Sequence, residues 1–219
     1  MPGRIGSAAA VLGAVVLLVA TMLHPMRADP NDPGAAFAEY AADRFWVASH
    51  FAQFVGALLI FAGLHALTRS LEGDRGRPLA DLALLVAVAA LASAAVLQAV
   101  DGVALKVMVD RWAAAPAVQK PAAFEAALAV RHIEVGVAAF STFLFGTAGV
   151  LFGIALAAGG RYPAWLGWLA IIGGAGTMVG GVLTAFTGFS PAEMSVAMPS
   201  NVVMLVWIAA SGIVLWRRA

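Results

Sequence analysis

Ile-Gly-Ser-Ala-Ala-Ala-Val-Leu-Gly-Ala-Val-Val-Leu-Leu-Val-Ala-Thr-Met-Leu, residues 5–23, runs without a charged side chain. Coiled into an α-helix it covers about 28 Å, close to the hydrocarbon thickness of a bilayer. Arg4 precedes the run and His24-Pro25 closes it. A cleaved leader is the competing reading. Met26-Arg27-Ala28 is a poor small-x-small cleavage site, however, and the apolar core is long for a leader, so we read a retained membrane helix.

The pattern repeats outward from this run. The chain of 219 residues is 62% hydrophobic and 11% charged, against about 25% charged in soluble domains. The apolar excess needs lipid to face. Spans are expected at about 5–24, 45–68, 79–101, 133–158, 164–186 and 202–216. The expected fold is therefore all-α: a polytopic membrane protein with six transmembrane helices in one compact bundle, forming a single domain over 1–219.

Prolines punctuate the segments. Asp32-Pro33 offers an N-cap acceptor followed by Pro at the first helical position, and Pro78, Pro121 and Pro163 open later helices. Ser190-Pro191-Ala192-Glu193 fits a capping box that starts a short surface helix. Pro199-Ser200-Asn201 is expected to stop that helix and to cap the last span.

Charge and composition exclude several classes of function. A net charge of +1 gives no basis for phosphate-driven nucleic-acid binding. With no cysteine, thiolate metal sites, iron–sulfur clusters and cysteine nucleophiles are ruled out. Six spans put both termini on one side, together with Arg4, Arg69, Arg75, Arg77, Arg161, Arg217 and Arg218 in short loops. By the positive-inside rule that side is read as cytoplasmic.

Small residues recur at helical spacing in the second half: Gly149 and Gly153 on the fourth span, and Gly173, Gly176, Gly180 and Gly181 on the fifth. Such stripes let helix backbones approach each other where lipid provides no drive for association. They suit packing within the compact bundle; a face for a second copy or another membrane subunit is an alternative that this packing does not require. At Arg161–Leu183, Arg-Tyr-Pro-Ala-Trp-Leu-Gly-Trp-Leu-Ala-Ile-Ile-Gly-Gly begins a stretch that resembles uncharacterised families of small bacterial multi-pass proteins, in which a Tyr/Phe-Pro-x-Trp-Leu-Gly loop opens a glycine-rich helix. The resemblance implies a membrane bundle of about six helices, a bacterial inner-membrane location and no assigned chemistry.

Polar residues gather at the non-terminal end of the expected bundle. His24 ends the first span, His50 lies one turn into the second, Asp101 closes the third, and His132 begins the fourth. Ionisable groups at membrane depth usually face the bundle interior. These four are the candidate metal or ligand set, with Gln53, Gln98, Arg131 and Glu134 as supporting residues. Arg131 and Glu134, three apart, share a face and pair. His132 is then expected to turn inward above Gly136 and Ala139.

Three imidazoles and a carboxylate suit Zn, Cu, Fe or Ni. A single b-type haem between His50 and His132 or His24 is an alternative, as is a proton-coupled transporter using Asp101 and a histidine. A bland reading also stands, in which Asp101 pairs with Lys106 or Arg131, Lys106 belongs to a solvated helix face, and the chain is a non-catalytic scaffold or accessory subunit. No phosphate loop, no His-Glu-x-x-His and no nucleophile with a base nearby in sequence is present, which points away from an enzyme.

Overall fold

A computed structural model describes residues 2–218. Among them the chain forms α1 (Pro2–Met22), α2 (Pro33–Ala42), α3 (Trp46–Ser70) and α4 (Arg77–Leu97). A π-helical segment, Gln98–Leu105, follows without a break, then α5 (Lys106–Ala114), α6 (Lys120–Ala158), α7 (Ala164–Thr187) and α8 (Pro191–Trp216). Six helical stretches are long and apolar enough to cross a membrane: α1, α3, α4 with its extension to Ala114, α6, α7 and α8.

The six spans close into a ring. Each packs on its neighbours in sequence, α1 on α3, α3 on α4, α4 on α6, α6 on α7 and α7 on α8, and α8 returns to α1. The apolar core fills the ring with Ile60, Leu64, Phe152, Leu156, Leu166 and Trp207. Alanines carry the α4 face: Ala80, Ala83, Ala87, Ala90 and Ala94 are all buried at three- and four-residue spacing. A second cluster lies beyond the ring at the end opposite the termini, where α2, α5 and the start of α6 bury Phe37, Tyr40, Trp46, Leu105 and Val109.

Glycines set the distance between α7 and its neighbours. A Cβ on Gly174 would lie 2.7 Å from the Gly146 carbonyl oxygen, and one on Gly181 would lie 2.7 Å from the Ala139 carbonyl oxygen, both on α6. On the other face, a Cβ on Gly173 would meet Val203, one on Gly176 would meet Ser200 and one on Gly180 would meet Ala197, all on α8. Gly153 meets the Gly167 carbonyl in the same way, and Gly149 meets the Met204 side chain. The α7 helix is thus held between α6 and α8 at backbone contact, where dispersion and weak Cα–H···O contacts replace a hydrophobic drive.

The third helix continues past its apolar span, through the π-helical segment, to Ala114. The fourth starts at Lys120, beside Pro121 and about three turns before its apolar part. One boundary differs from expectation. Pro199 neither stops a surface helix nor caps the last span; it sits inside α8. A proline there lacks the N–H that the carbonyl four residues back would accept. The carbonyl so freed is that of Ser195, and the nearby hydroxyls bond others, Ser200 Oγ that of Val196 at 2.7 Å and Ser195 Oγ that of Ala192 at 2.8 Å. Packing of α8 on α7 and α1 carries the helix through the proline. The two cap signals do act as read. Asp32 Oδ1 accepts from the Gly34 and Ala35 N–H groups, and Ser190 Oγ accepts from the Glu193 N–H.

Two glycines on α6 test the packing account. A Cβ at Gly146 would lie 2.5 Å from both the Gly174 carbonyl oxygen and the Met178 nitrogen, whereas one at Gly136 would meet nothing within 4 Å. Gly146→Ala should destabilise the detergent-purified protein by about 1–3 kcal/mol. Gly136→Ala should be neutral or stabilising by up to about 1 kcal/mol. Thermal unfolding of the two variants side by side checks this.

Candidate metal centre

The site begins with Trp46, the first residue of α3 and fully buried. Its carbonyl accepts from Nδ1 of His50, one helical turn on, at 2.6 Å. Its indole Nε1–H reaches across to the Asp101 carbonyl at 3.0 Å. One side chain and one backbone group of a single residue therefore fix both partners of the next contact, which is His50 Nε2 to Asp101 Oδ2 at 3.0 Å. Gly102 makes the approach possible: a Cβ there would lie 2.6 Å from the His50 Cβ. The glycine and the aspartate both lie in the π-helical segment, a wide-turn conformation that concentrates at functional sites.

His24 comes from the connection after α1. Its Nδ1 bonds the Pro25 carbonyl at 2.9 Å, and its ring lies 4.7 Å from Trp46 and 5.2 Å from His50, centre to centre. One ring nitrogen of His24, one of His50 and one carboxylate oxygen of Asp101 all lie within 4.8 Å of one another. His24 lies outside the spans, and burial, with help from neighbouring His50 and Arg131, pushes its imidazole below the usual histidine range, against the pull of Asp101. It is thereby kept neutral, the form that ligates metals.

Tautomers follow from the backbone contacts. A carbonyl only accepts, so Nδ1 of both histidines carries the proton, and in the neutral ring the lone pair falls on Nε2. At His50 that lone pair faces a carboxylate oxygen. Two acceptors at 3.0 Å are stable only with a cation between them, a proton or a metal ion. The other carboxylate oxygen, Asp101 Oδ1, is buried with no hydrogen-bond partner among the described residues, and so is Gln98 Oε1. Gln98 Nε2 donates to Gln53 Oε1 at 3.3 Å, tying α3 to the start of the π-helical segment one turn below the aspartate.

A cleft of about 540 Å³ opens onto the cluster, lined by His24, Tyr40, Gln53, Asp101, Arg131 and Glu134 among others. Burial pushes the Tyr40 phenol up to about 12, so it remains a proton donor. Arg131 and Glu134 are both buried and joined by two bonds of 2.7 Å. Arg131 also donates to the Pro30 carbonyl at 3.3 Å, and its guanidinium lies over the rings of Tyr40 and Phe189.

Of the four candidate ligands, the structure brings together three. His132 does not turn inward. It is exposed, and Gly136 below it borders open space. The reason is helical phase: Arg131 and Glu134 occupy the inward face, and the residue between them at 100° from Arg131 looks out. Nor does Asp101 pair with Lys106 or Arg131. Lys106 Nζ instead caps the end of α2 through the Tyr40 and Ala41 carbonyls, each at 3.1 Å, and pairs with Asp110 at 2.6 Å. It is a structural cap, with its side chain 14% exposed, and not part of a solvated face. The haem reading loses its pairings, since His132 is remote and the His24 and His50 rings, tilted by 60° at 5.2 Å, leave no plane for a porphyrin between them. Trp46, Gly102 and the π-helical segment were not singled out in the sequence; Gly102 next to Asp101 was the available signal. No protein-family model, no curated protein and no solved structure matches the chain, so the chemistry rests on these residues.

Two predictions follow from the buried charges. Arg131→Met leaves Glu134 buried and unpaired and should cost about 3–5 kcal/mol, while the double variant Arg131→Met/Glu134→Leu should recover most of that loss. Chemical unfolding in mixed micelles measures both. His24 gives a pH dependence. Its lowered value means that the unfolded chain takes up a proton near pH 6.5 while the folded chain resists. Its contribution is complete above about pH 6.5 and is lost as pH falls toward the folded value. The metal-free protein should lose stability on acidification below about pH 6.5, and His24→Asn should flatten that slope.

Proposed function

We propose that this six-span protein binds a divalent transition-metal ion, zinc foremost, through His24, His50 and Asp101. The observation that carries the reading is the orientation of the two imidazoles. Each has Nδ1 tied to a backbone carbonyl and Nε2 left as the lone-pair nitrogen, the arrangement that supports metal-bound histidines. The carboxylate supplies an oxygen at 3.0 Å from His50 Nε2 and a second, buried oxygen without a partner. Donors around tetrahedral zinc sit about 3.4 Å apart, so the set, spread over as much as 4.8 Å, closes slightly on loading.

Two nitrogens and one oxygen leave a fourth position, as in zinc sites that exchange a water or a ligand. The cleft gives that position an approach, with Tyr40 as a neutral donor and Arg131 as a fixed cation beside it. A small anionic or carbonyl-bearing ligand suits such a lining. We place the site at the non-cytoplasmic face of a bacterial inner membrane, because the opposite end collects the short-loop arginines. A second reading rests on the same contact: without metal, the cation between His50 and Asp101 is a proton, and a proton-holding pair at membrane depth is what a proton-coupled transporter uses.

Purified without chelator and supplemented with zinc, the protein should carry close to one metal per chain by elemental analysis. His50→Ala and Asp101→Ala should lower zinc affinity by more than about 100-fold, and Trp46→Phe, which removes no ligand but loosens Asp101, by about 10–100-fold. His132→Ala should leave it unchanged. A folded, supplemented sample without metal would sink the zinc reading and bring the proton reading forward.

A further inference from the structure

The opposite end of the ring holds a second cleft, of about 670 Å³, between α1, α3 and the end of α8. Its floor is apolar, with Ile5, Ala66 and Leu215. Its rim is basic: Arg69, Arg161 and Arg218 with His65, against a single carboxylate, Glu72. Glu72 does little to neutralise it. Its contact with Arg69 is 4.0 Å between side chains that are 62% and 75% exposed, a pair of negligible strength in water.

The rim is built and not merely populated. Tyr162 is buried and shares a hydrogen bond of 2.5 Å with Ser70 Oγ, locking the turn after α6 to the end of α3. The Arg218 guanidinium lies 5.1 Å over the Tyr162 ring and donates to the Arg161 carbonyl. Three guanidinium groups from three distant parts of the chain thus border one opening at the level where the spans end, Arg218 fixed over Tyr162 and Arg69 and Arg161 exposed. A ligand that fits must carry concentrated negative charge at one end and apolar length at the other, because the charged rim gives onto an apolar floor facing the hydrocarbon.

We propose that this cleft binds the headgroup of an anionic phospholipid, its phosphate on Arg69, Arg161 and Arg218 and its acyl chains along the α1–α3 groove. Basic pockets between membrane helices recognise such headgroups, whereas a zwitterionic lipid brings no net charge to the rim. The same phosphate chemistry in a soluble anion would use the rim and ignore the floor, and this is what the experiment separates.

Delipidated protein in nonionic detergent is offered phosphatidylglycerol, phosphatidylcholine or inorganic phosphate, and bound lipid is read by native mass spectrometry. Phosphatidylglycerol should be retained, phosphatidylcholine should not compete, and Arg69→Gln/Arg161→Gln should weaken binding by roughly fivefold per arginine. Arg44→Gln/Arg111→Gln, at the other end, should behave as the parent. Equal binding by the two double variants overturns the proposal. So does displacement of phosphatidylglycerol by an equal concentration of phosphate, which would assign the rim to a soluble anion. Should Arg69→Gln/Arg161→Gln not fold, the parent protein decides through the headgroup competition alone, and Arg69→Lys/Arg161→Lys must retain the preference for the anionic lipid.

Discussion

Hydrocarbon offers no hydrogen bonds, so every polar group carried to membrane depth must find its partner inside the protein. Trp46 answers that demand at the site end. Its carbonyl takes the His50 proton and its indole supplies the Asp101 carbonyl, while its ring stacks among His24, Tyr40 and His50. The tryptophan lies at the top of α3, and the two groups it holds come from different spans. Remove the indole bond and Asp101 is positioned only by the helix it belongs to. Geometry at the His50–Asp101 contact is thus a property of a network.

Around that network, Arg131 plays a different part. It bonds Glu134 on its own helix, the Pro30 carbonyl in the connection after α1, and the faces of Tyr40 and Phe189. Four segments distant in sequence meet on one planar cation, which arginine can satisfy in several directions at once because its donors are spread over a rigid fork. Glu39 holds the same connection from the other side by accepting the Arg27 and Ala28 N–H groups. The cleft is therefore walled by loops that are pinned, and the cluster beneath it keeps a fixed opening.

Much of the bundle is readable from residue order alone. Apolar runs without charge mark the spans, and Asp32, Pro33, Ser190 and Pro191 mark helix starts through backbone rules that hold in any environment. Residue phase is harder. Helical spacing puts Arg131 and Glu134 on one face, but it does not say which face looks inward, and His132 pays for the choice. The π-helical turn defeats periodicity altogether, since one extra residue per turn rotates everything after Asp101. Pro199 misleads for a related reason. In water a proline after a short amphipathic stretch ends a helix; in α8 the packing on α7 and α1 carries the helix through it. His24, His50 and Asp101 are legible as polar interruptions, and only the fold shows that a glycine at 102 lets them meet.

The ring of spans has one joint unlike the others. Five neighbouring pairs are linked by a loop, but α8 meets α1 with no covalent connection. Along it a Cβ on Gly212 would sit 2.8 Å from the Ser7 carbonyl oxygen, and Arg4 lies over the Trp216 ring. Parting the bundle there would stretch no loop, so this joint rests on helix packing alone, with the α8 backbone seated against the α1 backbone where Gly212 meets Ser7.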